Sequence, residues 1–269
     1  MCDVTIDPAP RPRSRWLRLS AVPVLLVAIL FLDSEGLATR YSHGQLLANL
    51  LTLVLFFWVL HSANPRLRRL MLIGVAVATF GEICFALFIG MYEYRLHNVP
   101  LYVPPGHAIL YAGVYQLIRD PWVRCHARQV TQVCYLLGAV FSIGWLLVYN
   151  DVYGCICFSV FSVLIFSRRE SRLFFVCMYL LVAYLELIGT ALQCWSWPPF
   201  LLNEWPAIAS ANPPSGISVF YMGFDIGCLG FYKLSIPHLR NRHRRFRALR
   251  KARDGVEPAL PAMVGSAGT

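Results

Sequence analysis

Residues 71–92 read MLIGVAVATFGEICFALFIGMY, and residues 173–195 read LFFVCMYLLVAYLELIGTALQCW. About 20 apolar residues suffice for a helix to cross the hydrocarbon core of a bilayer, so both stretches have membrane length. Each carries one carboxylate near its middle, Glu82 in the first and Glu186 in the second. A charged side chain at bilayer depth costs about 3 kcal/mol or more, which makes both glutamates candidates for function. The two segments predict an all-α, polytopic transmembrane helix bundle.

Composition agrees. Hydrophobic residues make up 57% of the chain and charged residues 14%, with a mean hydropathy of +0.55. A soluble domain carries about 25% charged residues. Eight apolar segments are expected as spans, at 17–32, 45–61, 70–92, 103–118, 130–149, 152–167, 173–195 and 215–234. The first, fourth and sixth are short, and only Asn150-Asp151 separates the fifth from the sixth. The first follows basic residues, as a signal peptide would. Asp33-Ser34-Glu35 ends it without a small-x-small cleavage site, so it reads as a retained helix.

Charge orients the spans. With the N-terminus cytoplasmic, all of the 24 basic residues fall on the inner side except Arg40 and Arg95. The expected organisation is a basic cytoplasmic N-terminus (1–16), a bundle (17–234, in halves 17–118 and 130–234) and a cytoplasmic tail (235–269). The setting is a bacterial inner membrane. The net charge of +10 then reflects topology. The tail around His238–Arg253 suits anionic lipid headgroups better than nucleic acid, and Asp254–Thr269 reads as disordered. Most of the nine cysteines lie in apolar segments and act as small hydrophobes. Cys155 and Cys157 form C-x-C, so neither a disulfide framework nor a thiolate metal site is expected.

The segments also repeat. Glu82 stands 13 residues after Arg69, and Glu186 stands 14 after Arg172. At 1.5 Å per residue, both carboxyls lie about 20 Å from the inner boundary. Downstream of Glu82 come Pro104-Pro105-Gly106, Tyr111 and Gly113. Downstream of Glu186 come Pro213-Pro214-Ser215-Gly216, Tyr221 and Gly223. With a one-residue gap this predicts a parallel four-plus-four internal repeat.

Glu82 and Glu186 are the leading catalytic candidates, because a neutral buried carboxylic acid can donate a proton. Asp225, buried in the last span, and His107, at the outer start of the fourth, are further candidates. Loop aromatics Tyr92, Tyr94, Trp195 and Trp197, with Asn212, Tyr111 and Tyr221, are expected to bind substrate as a lid over a pocket. The plainer readings are helix–helix hydrogen bonding for the acids and an interfacial aromatic belt for the loops. No H-x-x-x-H, E-x-x-H or D-D-x-x-D motif occurs, so neither metal nor cofactor is expected.

Glu82, Gly90, Tyr92, Tyr94 and Val99-Pro100-Leu101-Tyr102-Val103-Pro104 form a pattern of buried acid, aromatic turn and proline-rich helix start. Trp195-x-Trp197 and the later proline pair follow a similar order in the second half. The pattern resembles bacterial integral-membrane carotenoid-biosynthesis proteins of the carotenoid 1,2-hydratase type. The family's usual Phe-Gly before its Tyr-x-Tyr is absent. The resemblance implies a cofactor-independent, lyase-like hydratase or isomerase acting on an isoprenoid that enters from the lipid. One glutamate would protonate an end-group double bond, and the other would stabilise the cation or position water. The alternatives are a proton-coupled small-molecule carrier and a non-catalytic membrane scaffold.

Overall fold

The structure, a computed structural model, describes residues 12–235, with side chains from Val22 to Leu234. Residues 1–11 and the tail from 236 onward, including the His238–Arg253 stretch, lie outside the described residues. The chain runs α1 (Pro12–Leu32), α2 (Glu35–Ala38), α3 (Gly44–Ser62) and α4 (Pro65–Glu82). A π-helical turn, Ile83–Phe88, extends α4 before β1 (Glu93–Tyr94), α5 (Val103–Leu117) and α6 (Pro121–Cys125). Then come α7 (Ala127–Tyr149), α8 (Val152–Ser167), a 3₁₀ turn (Arg169–Ser171) and α9 (Arg172–Ala191). Three short strands, β2 (Trp195–Ser196), β3 (Phe200–Leu201) and β4 (Trp205–Ala209), precede α10 (Ser218–Ser235). Of the described residues, Pro12–Cys228 belong to one compact unit and Leu229–Ser235 to a second. The site described below belongs to the first.

A helix stands at each of the eight apolar segments. Among the described residues four are long and apolar enough to cross a membrane: Gly44–Ser62, Pro65–Phe88, Ala127–Tyr149 and Arg169–Ala191. Val22–Leu32 and Val152–Ser167 are apolar but shorter. The bundle is inverted relative to a soluble one. Val54, Phe57 and Trp58 on α3, Leu136, Val140 and Leu147 on α7, and Val163 on α8 are exposed. Thr52, Glu82, Ser142, Glu186 and Asp225 are buried. A helix with its polar groups inward and apolar groups outward suits a lipid surround.

Helix ends follow local chemistry. The Asn64 side chain accepts the Leu67 N–H at 2.9 Å, and Pro65 fills the first turn of α4. Asn150 takes the left-handed conformation (φ 54°), and Asp151 Oδ1 accepts the Gly154 N–H at 3.1 Å. That makes the α7–α8 connection the tight turn expected from Asn150-Asp151. Pro104 and Pro105 occupy the first turn of α5. Pro213-Pro214, by contrast, lie ahead of α10, which begins at Ser218.

Both glutamate helices end sooner than the apolar pattern suggested. α4 loosens after Glu82 into wider turns, in which the Ile89 N–H bonds to the Cys84 carbonyl at 2.9 Å. Gly90 (φ 67°) then turns the chain. α9 stops at Ala191, and Gln193 (φ 57°) turns the chain there. The two emerging loops pair antiparallel, with Glu93 opposite Ser196 and Tyr94 opposite Trp195. α9 packs against α1, α5, α7 and α8, while α5 packs against α1, α3 and α4.

Two buried aspartates fasten this end of the bundle. Asp33 pairs with the Arg95 guanidinium through Oδ1 at 2.5 Å and accepts the Tyr102 hydroxyl on Oδ2 at 2.9 Å. Arg95 Nε also donates to the Asp33 carbonyl at 2.9 Å. Asp151 accepts the Ala211 N–H on Oδ1 at 3.0 Å and the Ser215 N–H on Oδ2 at 2.7 Å. Ser215 in turn meets α9, whose Tyr179 hydroxyl donates to its carbonyl at 2.7 Å.

Candidate functional site

Glu82 is the last residue of α4 before the π turn, and Glu186 lies in the second turn from the end of α9. Both are buried, at 3% and 5% exposure. Each receives the loop that follows its own helix. Glu82 Oε2 accepts the hydroxyls of Tyr92 at 2.5 Å and Tyr94 at 2.6 Å. Glu186 Oε2 accepts the indole N–H groups of Trp195 at 2.8 Å and Trp197 at 3.2 Å. The other oxygens differ. Glu82 Oε1 lies 3.0 Å from His107 Nε2, whereas Glu186 Oε1 meets the Tyr221 hydroxyl at 3.5 Å.

Aromatic stacking ties the two halves of the site together. Tyr92 lies against Trp197 with centroids 4.7 Å apart, and Tyr94 meets Trp195 edge-on at 6.2 Å. His107 stacks on Tyr221 at 4.4 Å with an interplanar angle of 9°. Such stacked and edge-to-face pairs add stability beyond the area they bury. Gly189 makes the Trp195 position available: a Cβ there would collide with the indole ring. Gly81 does the same for the Phe224 ring.

Glu82, Glu186, Tyr92, Tyr94, His107, Trp195, Trp197 and Tyr221 all line one cavity of about 90 Å³. Leu26, Ile29 and Leu30 of α1, with Phe85, Phe220 and Phe224, form part of its apolar wall. Burial and the adjacent Glu82 carboxyl push the Tyr92 and Tyr94 phenols well above their ordinary range, so both stay protonated donors. An apolar chamber with a few convergent polar groups has the character of a small-molecule site, and at about 90 Å³, against roughly 300–1,000 Å³ for drug-sized ligands, it has room for only a small group.

Three expected residues stand apart from this chamber. Asn212 does not line it. Its Oδ1 accepts the Trp197 N–H at 3.0 Å and so anchors the lid loop. Tyr111 and Asp225 line a second, smaller cavity that His107 and Tyr221 also border. Asp225 Oδ2 is buried without a hydrogen-bond partner. Among the described residues no cluster of three or more His, Cys, Asp or Glu side chains is placed to hold a metal ion.

Asp33, Arg95 and Asp151 escaped the sequence reading. From sequence Asp33 reads only as the end of a span, and Arg95 as an outward-facing charge. The available signal was positional: each aspartate follows the first apolar segment of one proposed half. The site and fold together define a helical protein compatible with a membrane, with two buried carboxyls around an apolar chamber. No known family, curated protein or solved structure matches the chain.

Proposed function

We propose that this is an integral-membrane enzyme that hydrates or isomerises a double bond of an isoprenoid, carotenoid-like substrate by acid–base catalysis. One observation carries the reading: two buried carboxyls face the same aromatic chamber but have different donors. Indole N–H groups can only donate, so Glu186 Oε2 is occupied as an acceptor by Trp195 and Trp197. Any proton on Glu186 therefore sits on Oε1, where only the longer Tyr221 contact competes. Glu82 has His107 as a partner with which it can exchange a proton.

These environments suggest a division of labour. Glu186 transfers its Oε1 proton to the less substituted carbon of the double bond, leaving a tertiary cation. The faces of Trp195, Trp197 and Tyr92 stabilise that charge. Water adds to the cation and gives up a proton to Glu82, completing an alcohol. For isomerisation, Glu82 removes a proton from a neighbouring carbon of the cation instead. The resemblance to carotenoid 1,2-hydratases supports the substrate class, and the apolar wall formed by α1 supports a hydrocarbon chain as occupant.

The reading extends to the architecture. Eight spans with both termini cytoplasmic fit the charge distribution and the eight helices. A duplicated origin is supported by the paired loops and by the similar spacing of Tyr92 and Tyr94 from Glu82 and of Trp195 and Trp197 from Glu186. It is supported too by Asp33 and Asp151, each binding the approach to the last helix of its own half.

The test is expression in a bacterial host that accumulates acyclic carotenes, with pigments resolved by chromatography and mass spectrometry. Wild-type protein should yield a product heavier by one water, or an isomer of equal mass. Glu186→Gln should reduce it on the order of 10²-fold or more. An unchanged pigment and lipid profile with well-expressed wild-type protein would sink the reading. Proton-coupled uptake into vesicles that needs Glu82 and Glu186, without product, would favour the carrier.

A further inference from the structure

We propose that the small cavity around Asp225 binds water and serves, through His107, as the proton port of the glutamate site. This deepens the reading above and rests on it for the direction of proton flow. The cavity offers about 20 Å³, bounded by Leu70, Gly74 and Ala78 of α4, Met178 of α9 and groups from α5 and α10. A water centre needs on the order of 10–15 Å³ and two to four polar partners. Asp225 is 7% exposed, and its Oδ2 lacks any partner. An unsatisfied buried carboxyl oxygen is expensive, and a water in this cavity satisfies it.

The other titratable groups facing this space are His107 and Tyr111 from α5, and Tyr221 and Cys228 from α10. Of these, only His107 has two separate ring nitrogens, so that it can take a proton on one side and release one on the other. It also borders both cavities, and its Nε2 is already engaged by Glu82 Oε1 at 3.0 Å. Nδ1 is thus the ring atom left for the second cavity. Stacked on Tyr221, the imidazole forms part of the partition between the chambers.

The transfer balances simply. After Glu82 accepts a proton in the main chamber, it passes that proton to His107 Nε2. His107 releases its Nδ1 proton through the cavity water to Asp225 Oδ2, and Asp225 returns it to solvent. No electron changes hands. A second proton then enters from solvent by Asp225 to His107 Nδ1, and the Nε2 proton passes across the chamber to Glu186 Oε1, which restores both the donor and the Nδ1–H tautomer, so that a turnover consumes no net proton. The arrangement also lets the acids exchange protons without opening the apolar chamber to bulk solvent. Asp225 acts through His107 and never touches the substrate.

Solvent exchange at His107 tests the port without reference to product. The probe is NMR of the histidine-labelled full chain in detergent, with His107→Gln used for assignment. Asp225→Leu, which fills the cavity, should slow His107 exchange about tenfold. Asp225→Asn keeps the shape and should slow it less, and Val163→Ala, on the exposed face of α8, should leave it unchanged. Product formation should fall about tenfold in Asp225→Leu, short of the roughly 10²-fold loss of a direct general acid. Unchanged His107 exchange in folded Asp225→Leu, confirmed by thermal melting, overturns the port even if wild-type protein makes product. If exchange responds but wild-type protein makes no product, the port stands and the isoprenoid reading falls. A high-resolution structure with no water against Asp225 Oδ2 would also overturn it.

Discussion

Glu82 and Glu186 occupy comparable places in their helices yet live in different chemical company. Glu82 sits among two phenols that stay protonated and an imidazole with which it can exchange a proton. Glu186 sits between two indoles, which can only donate, with the Tyr221 hydroxyl 3.5 Å from its other oxygen. Similar scaffolds therefore present one carboxyl beside an imidazole and one held in place by donors that keep their protons. Position puts a carboxyl in the chamber; its donors decide what it can do there.

The largest expected effect sets the two acids apart. Glu186→Gln and Glu82→Gln should each cost on the order of 10²-fold or more in turnover. Only Glu82→Gln should also change the exchange behaviour of His107, read by NMR. Equal effects on His107 from both variants would erase the contrast between the two environments.

The fastenings should come next. Arg95→Met leaves the fully buried Asp33 uncompensated, and losing one partner of a buried pair costs about 3–5 kcal/mol. Asp151→Asn loses a carboxylate that serves three backbone N–H groups and presents an amide N–H₂ to one of them. The expected cost is about 2–3 kcal/mol, because hydrogen bonds to a charged group carry more than neutral ones. Denaturant melts in detergent would rank the two variants. A smaller loss in Arg95→Met than in Asp151→Asn would reverse the order expected here.

Smaller still is the Gly189→Ala effect, an overpacking cost of about 1–3 kcal/mol as the Trp195 ring is displaced. Indole fluorescence should shift with it. Last is the phenol pair. Tyr92 and Tyr94 have folded-state ionisation pushed above the unfolded value near pH 10. The stability they lend is complete below that pH and is lost as pH rises beyond it. Ultraviolet phenolate absorbance from these two residues should appear only together with alkaline unfolding. Reversible ionisation in the folded protein would contradict their burial against Glu82.

Several of these features could be read from the residues. The buried acids interrupt long apolar runs, and Asn150-Asp151 can do little but turn. Pro104-Pro105 predicts a helix start, and the loop aromatics cluster visibly. What could not be read was partnership. Asp33 meets Arg95 and Tyr102 across 62 and 69 residues, joined only by the packing of α1 beside the loop after α4. No local propensity encodes that distance. Asn212 reads from sequence as part of the lid loop, and its side-chain carbonyl accepts the backbone N–H of Trp197. Tyr111 and Asp225 share the site's neighbourhood, with His107, Tyr221 and Phe224 bordering both cavities.

The π turn after Glu82 has a consequence for phase. Counted without a gap from the two glutamates, Tyr92 falls opposite Ser196, and neither tyrosine finds an aromatic counterpart. The wide turn takes up one residue within Ile83–Phe88, so the hydroxyls at 10 and 12 residues reach their acid as the indoles at 9 and 11 reach theirs. One extra residue, stored as a local widening of a helix, lets two segments of different length keep the same beat. Deleting a single residue there should shift the following loop by one place and leave Glu82 facing the wrong side chains.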